Sequence, residues 1–143
     1  MTDNGAGCRG GDASTSPPTL YKAMQACVQQ HNYPQAVSLF ALAGSYSWYD
    51  ATRAGNDAAR QQHQDLLRQA LDGLEKPQRE KMWQHLRETL GEPQPLAQIC
   101  RQLEPLGPPT YRATYMAEDN DGENAPDPAI WRQAMDNYLH CAA

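Results

Sequence analysis

β-Branched aliphatic residues are scarce in this chain: two Val and two Ile stand against thirteen Leu in 143 residues. Sheets draw heavily on such residues, so a strand-based fold is excluded, and with Ala and Gln abundant an all-α domain is expected. No apolar run approaches the roughly 20 residues that cross a bilayer, so no transmembrane segment is expected. A charged start followed by an apolar stretch is also missing, and no signal peptide is visible. Bases are in the minority: twelve Lys and Arg against seventeen Asp and Glu give a net charge of -5. That charge repels phosphate backbones, which argues against nucleic acid and for a protein partner with a basic surface. Missing too are a Gly-rich phosphate loop, a nucleophile elbow and a His-Glu-x-x-His helix, so no catalytic residue, metal or cofactor is assigned.

What is present suits one compact domain, 40% hydrophobic and 20% charged. At this length folding removes about two-thirds of the unfolded chain's surface from water. Residues 1–16, with four Gly and no large aliphatic beyond Met1, read as a flexible tail, and 17–143 as a single helical domain. Five or six helices are expected. Ser16-Pro17-Pro18 opens the first, which runs to about His31 with Leu20, Met24, Cys27 and Val28 on one face. Pro34 opens the second, with Tyr33, Ala36, Phe40 and Ala43 as its stripe and a bend expected at Gly44-Ser45. The next is interrupted near Gly55, where Asn56 caps a new start leading to Leu66, Leu67, Ala70, Leu71 and Leu74. Pro77 opens a fourth with Met82, Trp83, Leu86 and Leu90 inward, Pro95 a fifth, and Asp127-Pro128 the last. Before that last helix lies a long loop, 105–126, rich in Pro and Gly, and loops of this length in compact domains are often functional.

Four Cys, at 8, 27, 100 and 141, suit an oxidising compartment. Cys100 and Cys141 are expected to pair, Cys27 with Cys100 is the competing connection, and Cys8, in the tail, is assigned as the free thiol. Two locations follow: a mature exported domain, periplasmic or secreted, or a cytoplasmic protein with buried thiols. Cys27 and His31, four apart, bring a thiol and an imidazole to one side of a helix, half of a metal or nucleophile site. Cys27 also belongs to the apolar stripe, where a buried inert residue is the plainer reading. His63, on the apolar side of its helix, is read as a hydrogen-bonded structural histidine.

Residues 20–48 resemble a single tetratricopeptide-type helical hairpin. The second helix carries the likeness, with Tyr33, Ala36, Phe40 and Ala43 at the aromatic, small, aromatic, small spacing of that motif. Met24 stands where a small residue is usual and His31 where the turn Gly is usual, and no second copy follows. The resemblance implies a scaffold for protein binding without catalysis.

Two features suit recognition. Tyr33, Phe40, Tyr46, Trp48 and Tyr49 place five of eleven aromatics within seventeen residues, and Tyr46, Trp48 and Tyr49 cannot all face inward from one short helix. They are candidate contact residues, since Tyr and Trp anchor interfaces, with core packing around the bend at Gly44 as the plainer reading. Glu118, Asp119, Asp121, Glu123 and Asp127 form a run of acids without a base, and without them the chain would balance at twelve acids and twelve bases. Glu118, Asp119, Asp121 and Glu123, supported by Tyr111 and Tyr115, are the candidate binding edge for a basic partner. An EF-hand register fails there, with Ala117 first and Pro128 twelfth. The expected function is a small protein-binding module, an exported bacterial inhibitor or immunity protein that neutralises a toxin or enzyme. A small cell-wall glycan hydrolase using a carboxylate such as Glu80 or Glu88, and a periplasmic scaffold protein, are the alternatives.

Overall fold

A computed structural model describes residues 8–111, 115 and 126–141. Six α-helices follow one another: α1 (Pro17–Gln29), α2 (Tyr33–Ala54), α3 (Asp57–Asp72), α4 (Lys76–Leu90), α5 (Pro93–Leu103) and α6 (Pro128–Gln133). A 3-10 turn, Glu104–Leu106, ends α5, and a π-helical turn, Ala134–Tyr138, continues α6. No strand occurs among the described residues, as the shortage of Val and Ile requires.

Local chemistry sets the helix starts. Proline occupies the first turn of α1, α2, α4, α5 and α6, where its missing N–H would have had no helical partner. The α5 start is two residues earlier than the Pro95 expectation because Pro93 already fills that position. Asn32, Asn56 and Asp127 accept hydrogen bonds from the N–H groups of Gln35, Ala59 and Ala129 and so cap α2, α3 and α6. At the end of α1 the backbone closes in a Schellman motif, with Asn32 N–H donating to Cys27 O and His31 N–H to Val28 O. His31 is left-handed there, at φ 62°, the conformation a glycine would take without strain. It is therefore off the helix and exposed, while Cys27 is buried, so the two do not form the thiol–imidazole face the spacing suggested.

α2 is the central helix, and α1, α3, α4, α5 and α6 all pack on it. Ala36, Val37, Leu39, Phe40, Ala41, Leu42 and Ala43 are all buried, and over these turns half-buried Ser38 is the one polar side chain of α2. The bend expected at Gly44 is absent from the helix assignment, which runs through it unbroken. A Cβ on Gly44 would collide with the Tyr138 hydroxyl, so this glycine serves the close approach of the C-terminal turn. On α4, Met82 and Leu86 point inward as expected, but Trp83 turns out, 43% exposed.

Disulfides tie down the first and last described residues, Cys8 and Cys141. Cys100 and Cys141 are bonded, as expected. Cys8 is bonded to Cys27 and is not the free thiol assigned to it; no cysteine is free. The pairing holds 8–16, read as part of a tail, along the bundle: a Cβ on Gly11 would collide with Leu20, and Thr110 N–H donates to Ala13 O at 2.7 Å. The bare Gly11 backbone lies close against Leu20 and Leu42, where a side chain would not fit.

Candidate functional site

Tyr46, Tyr49 and Asp50 of α2 face the segment that joins α5 to α6. Tyr46 and Tyr49 are 0% and 1% exposed, which removes them as partner contacts. Their hydroxyls anchor that segment instead. Tyr46 Oη donates to Gly107 O at 3.0 Å, and Tyr49 Oη accepts from the Asp127 N–H at 2.7 Å. Between them, Asp50 Oδ2 accepts from both Tyr111 Oη and Tyr115 Oη. Tyr46 and Tyr111 rings pack edge to face at 5.9 Å, and Tyr111 and Tyr115 lie 6.4 Å apart. Gln62 of α3 adds a bond from Nε2 to Tyr115 O at 2.8 Å.

Asp50 was not singled out from sequence. The signal that marks it is isolation: it is the one charged side chain between Tyr33 and Thr52, set beside two aromatics that the core takes in. Burial raises its pKa from 3.8 to about 6, against the opposing pull of the Tyr111 and Tyr115 hydroxyls and of Arg53. Burial also pushes the Tyr111 and Tyr115 phenols well above their ordinary range, so both keep their protons and donate. Arg53 stacks over the Tyr49 ring at 5.6 Å and donates to its hydroxyl.

The sequence-derived candidates divide accordingly. Tyr46, Tyr49, Tyr111 and Tyr115 come together, but as an internal clamp. Trp48 is half-buried, 6.5 Å from the Tyr138 ring. Glu118, Asp119, Asp121 and Glu123 lie outside the described residues, while the positions flanking them, Tyr115 and Asp127, are the ones α2 holds.

His63 hydrogen-bonds Ser47 through Nδ1 and meets the Tyr138 ring edge-on at 5.5 Å. Burial lowers the His63 pKa. Ser47 is 0% exposed, so the pair lacks the access that nucleophilic catalysis needs. It joins α2 to α3. Glu80 and Glu88 are exposed on α4, the latter accepting from Gln84. His140 is exposed beside Cys141, and Cys141 is already bonded to Cys100. The chain matches no protein-family model, no curated protein and no solved structure.

Proposed function

We propose that this is a small helical protein-binding module, an exported bacterial inhibitor or immunity protein that neutralises a partner toxin or enzyme by covering it. The observation that carries this reading is the clamping of both flanks of the acidic stretch on one helix, Tyr115 on Asp50 and Asp127 on Tyr49. Holding Tyr115 and Asp127 on one helix sets where the two flanks of that stretch sit before a basic partner docks. A sequence run of five acids without a base also supplies long-range attraction for such a partner. The tetratricopeptide-type likeness of 20–48 implies the same class. Two disulfides suit an oxidising compartment, which supports export, and no helix among the described residues is long and apolar enough to cross a membrane.

The test is affinity capture from the native host followed by association kinetics with the captured protein. Neutralising Asp119, Asp121 and Glu123 together is expected to slow association at low salt and flatten its salt dependence, with thermal stability nearly unchanged. An unchanged association rate overturns the reading.

A further inference from the structure

We propose that the groove formed by the start of α2, the end of α4 and α5 is a binding site for an uncharged, N-acetylated saccharide. The groove measures about 520 Å³, within the range of small-ligand sites, and shares no residue with the Asp50 clamp. No Asp, Glu, Lys or Arg lines it, although a fifth of the chain is charged. Each helix contributes a pair of hydrogen-bonding side chains: Gln35 and Ser38 from α2, His85 and Thr89 from α4, Gln98 and Gln102 from α5. Spacings of three and four place both members of each pair on the same helix face, so three ranks converge on one space.

That chemistry selects the ligand. An ion entering the groove would lose hydration with no countercharge to replace it. Amides, hydroxyls and an imidazole both donate and accept, which matches sugar hydroxyls and an acetamido group. Pro34, Pro95 and Ile99 supply apolar surface for the C–H face of a pyranose and the acetyl methyl. Among the described residues no sheet edge is present for strand addition by a peptide, and the groove holds no charged side chain to pair with a peptide's termini.

The walls are also held in place before any ligand arrives. Ser38 Oγ donates to Gln102 Oε1 at 3.0 Å, which orients that amide and leaves its Nε2 protons as donors. His85 stacks on Tyr33, with centroids 4.6 Å apart and planes within 6°. Asn32, at the rim, donates to Cys8 Sγ, and Ile99 precedes Cys100, so each disulfide secures one side. Such support lowers the ordering entropy that weakens binding to loose sites.

The test is a nuclear magnetic resonance titration of the disulfide-intact chain with the β-1,4-linked trisaccharide of N-acetylglucosamine, beside a glucose trisaccharide and a tetra-alanine peptide. Saturable shifts are expected at the side-chain amides of Gln35, Gln98 and Gln102, with half-saturation at or below the millimolar range. Gln98 and Gln102 are exposed, so Gln98→Ala and Gln102→Ala are expected to keep the fold, checked by circular dichroism, and to weaken binding at least about fivefold. The glucose trisaccharide should bind more weakly. No saturable shift up to about 10 mM, shifts confined to the Trp83 indole, unchanged binding by both variants, or equal binding of the peptide would each overturn the proposal.

Discussion

Asp50 and Tyr115 stand 65 positions apart and meet through Asp50 Oδ2, the same oxygen that Tyr111 uses. One buried carboxyl therefore holds two points of the segment between α5 and α6. A group in this setting couples folding to pH, because burial disfavours its charged form.

The first prediction concerns that coupling. Folded Asp50 has its pKa at about 6, against an ordinary 3.8, so the folded chain holds the proton more tightly than the unfolded one. The stability this contributes is fully present below the ordinary value and is lost as pH rises through about 6. Asp50→Asn removes the titration. Urea unfolding at several pH values should show the variant gaining on the wild type by on the order of 3 kcal/mol between about pH 4 and about pH 7. A gap that stays constant across this range would contradict the raised pKa.

A second prediction follows from Gly44. Ala is the better helix former by about 1 kcal/mol, so Gly44→Ala would stabilise an unhindered helix. Here the added methyl meets the Tyr138 hydroxyl and ring, and a loss of roughly 1–3 kcal/mol is expected. Tyr138→Phe in the same background removes the nearest atom and should recover part of that loss. A double-mutant cycle on denaturation midpoints decides it: additive effects would mean that the two residues do not press on each other.

The contrast between Gly44 and Asn56 shows what was legible in the sequence. Asn56, Asp127 and the opening prolines act through their immediate neighbours, so their caps could be read directly and the helices follow. Gly44 owes its presence to a ring 94 positions away, and nothing local distinguishes it from a helix breaker. Tyr46 and Tyr49 were misplaced on the surface for a related reason. Periodicity reports a buried stripe only when the opposite face meets water, and α2 is packed by neighbours around its circumference. Cys8 looked free because its surroundings lack aliphatics, yet its partner helix supplies the packing. The clamp was half legible: its tyrosines drew notice, while Asp50, a single carboxyl without a motif, needed the fold to reveal its partners.

His31 supplies a third prediction. It is a non-glycine residue at φ 62°, and its side chain is exposed. His31→Gly should stabilise the protein by about 1 kcal/mol, the left-handed strain relieved less the greater entropy of an unfolded glycine. Thermal or urea denaturation measures it, and a loss of stability would show that the imidazole contributes more than its exposure indicates.

The disulfides should differ in weight. Cys100–Cys141 closes a separation of 41 residues and Cys8–Cys27 one of 19. On chain entropy alone, replacing the first pair by Ser should lower stability by about 4 kcal/mol and the second by about 3 kcal/mol. Thiol titration of the native and unfolded, unreduced protein should find no free thiol. Recovery of Cys8 as a free thiol from oxidised, folded protein would remove the link that holds 8–16.

The last prediction separates the clamp from mere burial. Tyr115→Phe keeps the ring but deletes the hydroxyl that donates to Asp50. That bond favours the charged carboxyl, so its loss should move the Asp50 pKa further upward from about 6. The same change releases one flank of the acidic stretch, leaving Gln62 Nε2 on Tyr115 O as the contact with α3. A Glu-specific protease should then cut after Glu118 and Glu123 several-fold faster in the variant than in the wild type. Global stability should fall by only about 1–3 kcal/mol, the effect of removing one hydrogen bond to a charged group. Faster cleavage with an upward-shifted pH midpoint identifies Asp50 as the anchor. An unchanged midpoint with unchanged cleavage would mean that Tyr111 and Asp127 hold the segment without Tyr115, and the clamping of both flanks would lose its first member.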